Sequence, residues 1–174
     1  MAAPRPFRFP RLLASAACGA ILFATTLQVH AGGAHDARQD GPYVDASAYI
    51  QGDDQINAWY GMTWQLKRDF DDICGDTFCE GEYTNIEPLR FSCSVHRVSG
   101  RIGMCLWSFA ASDEHLDPTT GKIAVRVPAW RCRTSLGPLA TLEDLLAAVE
   151  GQPPLYAPLP GGQGSIFDGL IDCL

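Results

Sequence analysis

The stretch Leu89–Ala110 constrains this chain most, because it alternates at the period of a β-strand on both sides of a glycine-containing turn and carries one cysteine in each arm. In the first arm Leu89, Phe91, Cys93 and Val95 share one side, while Arg90, Ser92, Ser94 and His96 share the other. In the second arm Gly103, Cys105, Trp107 and Phe109 recur at the same period. A three-residue loop, Val98-Ser99-Gly100, closes on Arg97 and Arg101 and ends on a residue in left-handed conformation, where glycine is free of steric cost. Counting outward from that loop pairs Val95 with Gly103, Cys93 with Cys105, Phe91 with Trp107, and Leu89 with Phe109. The hairpin then has an apolar face that needs a covering element.

Whether the cysteines are oxidised depends on where the chain resides. Met1–Arg11 contains Arg5, Arg8 and Arg11 and no acid; Leu12–Leu27 is an apolar run of 16 residues; Val29-His30-Ala31 supplies small residues where a signal peptidase reads. This layout predicts a signal peptide over residues 1–31, and the run falls short of the roughly 20 residues that a membrane span requires. Removing it leaves Cys74, Cys79, Cys93, Cys105, Cys132 and Cys173, an even set that reads as three disulfides in an exported protein, periplasmic or secreted. Six cysteines permit 15 connectivities. The hairpin register favours Cys93–Cys105, a local acidic turn lies between Cys74 and Cys79, and Cys132 with Cys173 then remain; a Cys105–Cys132 link between neighbouring strands is the main rival. Zinc and redox motifs want C-x-x-C spacing, and the closest pair here is C-x4-C.

Ahead of the hairpin, residues 32–45 read as a flexible lead-in. A helical pattern follows, with Ile56, Trp59, Tyr60, Thr63, Leu66, Phe70 and Ile73 on one stripe, opened by Gly52-Asp53-Asp54 with an aspartate cap. Of these, Ile56, Trp59, Leu66 and Phe70 are expected to pack on Phe91, Val95, Trp107 and Phe109. Asp69–Glu82 holds a dense run of acids with two glycines and reads as a turn-rich connection; EF-hand calcium spacing fails in every register, with Ile73 or Cys74 at ligand positions. Beyond the hairpin, Lys122–Val127 reads as a third strand, with a bulge at Pro128 turning Trp130 and Cys132 to the same side. Thr141 caps a short helix whose stripe is Leu142, Leu145, Leu146 and Val149, and Gln152–Gly164 reads as an extended surface segment before a last helical turn or two. The expected fold class is α+β: an N-terminal amphipathic helix packed on a small antiparallel sheet, a β-meander of three or more strands, with short C-terminal helices and disulfide bridges. Residues 46–174 form a single domain on this reading.

Charge and missing motifs narrow the function. The chain has 13 basic and 20 acidic residues; loss of Arg5, Arg8 and Arg11 with the signal peptide brings the formal charge from −7 to −10. Such a chain repels phosphate backbones, so nucleic acid is not an expected partner; a protein or envelope component with a cationic surface is favoured, with no stable membrane insertion after cleavage. The sequence has no nucleophile elbow, no His-Glu-x-x-His, no phosphate loop and no dinucleotide fingerprint, and no cofactor or metal is assigned. His35, His96 and His115 remain after cleavage, none in a catalytic pattern. The expectation is a small exported acidic binding or inhibitory module acting through a surface on a rigid disulfide-held sheet. The alternatives are a secreted carboxylate-dependent hydrolase using Glu80, Glu82 or Glu87, and a structural envelope protein.

Overall fold

A computed structural model describes residues 41–162 and 164–174. The signal-peptide expectation for residues 1–31 and the lead-in up to residue 40 lie outside the described residues. All the described residues fall in one compact unit.

The elements run β1 (Tyr43–Asp45), α1 (Ala46–Tyr49), α2 (Asp53–Ile73), β2 (Glu87–His96), β3 (Ile102–Ala110), β4 (Asp113–Leu116), β5 (Ile123–Arg126), β6 (Ala129–Thr134), α3 (Leu142–Ala148) and α4 (Ile166–Ile171). An antiparallel sheet of order β1-β2-β3-β6 forms the platform, and β4-β5 make a separate two-stranded sheet. The fold is α+β, with α2 laid across one face of the platform.

The hairpin is β2-β3, with Cys93 opposite Cys105 and Phe91 opposite Trp107. Its ends differ from the simple count in two ways. His96 donates to the Arg101 carbonyl at 2.8 Å and Gly100 donates to the His96 carbonyl, so the loop is Arg97–Gly100, one residue longer than expected. Gly103 then bulges from β3, because Ser94 pairs with Met104 and Val95 with Ile102 instead of Gly103. The bulge offsets the extra loop residue, and the register through the cysteines is unchanged. The glycine keeps this bulge uncrowded: an added Cβ would lie 3.0 Å from Ser94 Oγ and from the Tyr43 ring, so one of those side chains would have to give way. At the other end Leu89 is the bulged residue, 62% exposed, and Pro88 takes the place opposite Phe109 that Leu89 was expected to fill. Proline has no N–H for the ladder, so a bulge is a natural place for it.

Trp59, Met62, Leu66 and Phe70 are the buried stripe of α2. Phe70 meets Phe109 at a 4.8 Å centroid separation and Trp107 at 5.9 Å, and Trp59 meets Phe91 at 6.1 Å. Val95, Trp107 and Phe109 are buried as expected, whereas Ile56 and Tyr60 are exposed and Met62 takes the inward place between Trp59 and Leu66. The helix cap also differs. Gly52, at φ 81°, is the N-cap, and Asp53 and Asp54 occupy the first turn, where their charge faces the positive end of the helix dipole.

Three further expectations are corrected. Tyr43–Asp45, assigned to the lead-in, form an edge strand on β2 at Ser94–His96. The third strand beside β3 is β6, with Cys132 opposite Trp107, while β5 pairs with β4 and leaves Ile123 and Val125 exposed. Alternation does not say which neighbour a strand takes, and Pro128 separates two strands where a bulge within one was expected. In the segment read as surface, Leu155, Ala157 and Leu159 are buried. Leu155 is anchored where its carbonyl accepts from Phe167 N at 2.9 Å.

Cystines join Cys74 to Cys79, Cys93 to Cys105, and Cys132 to Cys173. The first closes a π-helical turn, Cys74–Phe78, that continues α2 and swings Phe78 against Phe70 and Phe167. The last ties the end of α4 to β6. α3 and α4 each open on a capping box, Thr141 with Asp144 and Ser165 with Asp168.

Candidate functional site

Because α2 buries only one stripe, its two flanks remain for other work. On one flank Tyr60, Thr63, Trp64 and Lys67 face β2 across a cleft of about 620 Å³ whose far wall is Pro88, Leu89 and Arg90. The buried rings of Trp59, Phe91 and Trp107 underlie it. Trp64 is 59% exposed and Tyr60 54% exposed. Arg68, one helical turn further on, sets its guanidinium 4.8 Å from the Trp64 ring centroid, which holds the indole in place by a cation–π contact. Arg90 is held by Asp45 at 3.0 Å, and Lys67 has no ion pair among the described residues. The cleft is thus aromatic, with the Arg90–Asp45 pair and one unpaired cation, Lys67, in a chain with excess acid. Its lining is made of side chains; on the β2 edge, β1 covers Ser94–His96 and Pro88 with the Leu89 bulge blunts the other end.

The opposite flank of α2 faces α3. Asp54, Ala58, Gly61 and Met62 form one wall, and Leu146, Ala147, Val149 and the turn through Pro154 form the other, around a groove of about 790 Å³. Asp54, Glu143 and Glu150 stand on its rim.

The carboxylates considered for hydrolysis do not converge. Glu80, Glu82 and Glu87 are all exposed, and Glu82 is engaged by Arg126 at 3.1 Å, which also holds Asp113 at 2.8 Å across the β4-β5 pair. Loss of solvent around Tyr83 and its hydrogen bond with Glu82 raise the phenol above its usual value, and the Arg126 ion pairs tie this cluster to the base of the β4-β5 hairpin. The carboxyls that do shift go down. The hydroxyls of Thr120 and Thr119 hold Asp117 well below the usual carboxylate range, and the capping hydroxyls of Thr141 and Ser165 lower Asp144 and Asp168. A general acid needs the opposite shift. Among the described residues no three His, Cys, Asp or Glu side chains group as a metal site, and no helix is long and apolar enough to cross a membrane.

Trp64 and Tyr60 are the residues that sequence reasoning missed as surface features. The signal was present: Trp64 is out of phase with the stripe Trp59, Leu66, Phe70, and a tryptophan placed there has no core to enter. No protein-family model, curated protein or solved structure matches this chain, so the site itself carries the functional reading.

Proposed function

We propose that this protein is a small exported binding module that captures another protein at the α2-β2 cleft, acting as an inhibitor or adaptor by occupying the partner's surface. The observation that carries this reading is the pair Trp64 and Tyr60, more than half exposed on a helix whose buried face is already satisfied. Tryptophan, tyrosine and arginine are the residue types that dominate interface energetics, and the cleft has all three within one helical turn or across from it. The ring-on-ring platform beneath and the cystine between β2 and β3 keep the cleft walls in place, so little ordering is needed on binding. Lys67, beside the Arg90–Asp45 pair, supplies the cleft's unpaired charge: the captured patch is apolar with an acidic neighbour. Bulk negative charge favours a cationic partner overall, but it is Lys67 that meets the captured patch.

A photo-cross-linking residue placed at Leu89 on the cleft wall tests this. A control is placed at Leu139, exposed but outside the cleft. In envelope extract and culture medium of the producing cell, the Leu89 variant is expected to yield a discrete adduct that the Leu139 variant does not. No adduct, or the same adducts from both positions, overturns the reading.

A further inference from the structure

We propose that the groove between α2 and α3 receives a basic amphipathic helix of a partner protein, a second docking surface independent of the aromatic cleft. The walls decide the shape of the occupant. The α2 wall and the Glu143–Ala147 part of the other are helical, with backbone N–H and C=O groups already paired, and the turn Val149–Pro154 closes one end. An extended segment lying there would leave its own backbone unsatisfied on the buried side, whereas a helix satisfies itself. The walls carry small exposed residues, Ala58, Gly61 and Ala147, which let another helix approach closely.

Gly61 is the observation that the chain's own packing does not explain. It lies in the middle of a 21-residue helix, its φ is not positive, and a Cβ built on it meets nothing within 4 Å. Glycine is among the poorest residues for a helix interior, and neither the backbone nor an internal neighbour requires it here. The space that its missing side chain leaves is the groove itself.

The rim decides the charge. Asp54 on one wall and Glu143 and Glu150 on the other have no ion pair among the described residues, and no lysine or arginine lines the groove. Three carboxylates flanking an aliphatic floor of Met62, Leu146 and Val149 complement a helix with a narrow apolar stripe bordered by lysine or arginine. Glu143 stands in the first turn of α3 and Glu150 in the turn just beyond its end, so the two acids border both ends of this wall, and basic residues about two turns apart on the occupant can meet them.

The probe is a synthetic 18-residue amphipathic peptide with a Leu/Ala stripe bordered by lysines at i and i+7, compared with a scrambled peptide of identical composition. Each is titrated into the purified exported protein by calorimetry and followed by amide chemical shifts. The patterned peptide is expected to bind at least about 10-fold more tightly than the scrambled one and to shift the amides of Ala58, Gly61 and Ala147. Gly61→Leu fills the groove without altering charge and is expected to weaken binding about 10-fold or more. Glu143→Gln with Glu150→Gln leaves the groove open and is expected to weaken it roughly 3- to 10-fold, more at low salt. Asp71→Asn with Asp72→Asn removes two exposed acids elsewhere on α2 and is expected to change nothing. Equal binding of the scrambled peptide, retained binding in folded Gly61→Leu, or shifts confined to other surfaces overturns the proposal. Should Gly61→Leu fail to fold, the wild-type shift map alone decides between these outcomes.

Discussion

The two flanks of α2 are built from the same helix and end up with opposite chemistry. Toward β2 it presents Tyr60, Trp64 and Lys67; toward α3 it presents Asp54, Ala58 and Gly61. The difference does not come from the helix alone. The β2 side is walled by a rigid sheet whose bulge pushes Leu89 outward, while the α3 side is walled by a two-turn helix carrying Glu143 and a turn carrying Glu150. The lesson is that a buried stripe settles how a helix packs and leaves its flanks to be defined by whatever stands beside them.

The largest effect is expected where both flanks share a foundation. Trp107 is 3% exposed and touches Phe70, Phe91 and Phe109. Trp107→Ala is expected to destabilise the fold by ~3–5 kcal/mol in urea titration, and so to remove both surfaces together. A loss under about 1 kcal/mol means that the platform does not rest on this ring.

A smaller effect concerns the far end of the chain and sharpens the comparison by leaving both flanks alone. Ser165 caps α4, and Asp168 returns the bond to Ser165 N. Ser165→Ala is expected to cost about 1 kcal/mol at neutral pH. The Asp168 carboxyl is held lower in the folded chain than in the unfolded one, so its contribution is present above the ordinary carboxylate value near 4 and fades as pH falls through the folded value. The gap between variant and wild type is therefore expected to narrow below about pH 4. A gap that is constant down to pH 2 contradicts the capping geometry.

The smallest effect separates the groove from the fold. Gly61→Ala replaces a poor helix residue where there is open space, and is expected to raise stability by about 0.5–1 kcal/mol. A destabilised variant in thermal melting means that Gly61 serves internal packing after all.

Much of the platform was legible in the sequence because strand alternation and the cystine spacing reinforce each other. A shift of one residue turns every side chain of a strand over, so Phe91, Cys93, Cys105 and Trp107 leave little freedom between them. What was not legible depends on compensation or on neighbours. The longer loop and the Gly103 bulge cancel, so the count through the cysteines agreed while its ends did not. Lys122–Val127 reads as one strand bulged at Pro128 toward Trp130 and Cys132, and only the folded chain shows that the proline ends it and that Ala129–Thr134 lies beside β3. Met62 and Tyr60 border the α2 stripe on opposite sides, so a small rotation of the stripe exchanges their roles, and apolar periodicity does not resolve it. Both grooves were invisible for a simpler reason: each has one wall in α2 and the other in a segment far along the chain.

The central claim is that Tyr60 and Trp64 are kept at the surface for a partner and not for the fold. The direct measurement is a paired one on the double variant Tyr60→Ala/Trp64→Ala: its urea unfolding free energy, and its affinity for the protein cross-linked from position 89. Both side chains are more than half exposed, so stability is expected to fall by less than about 1 kcal/mol, while affinity falls by ~2–4 kcal/mol, roughly 30- to 1,000-fold. A variant that loses stability by several kcal/mol, or binds the partner as tightly as the unaltered chain, contradicts the account.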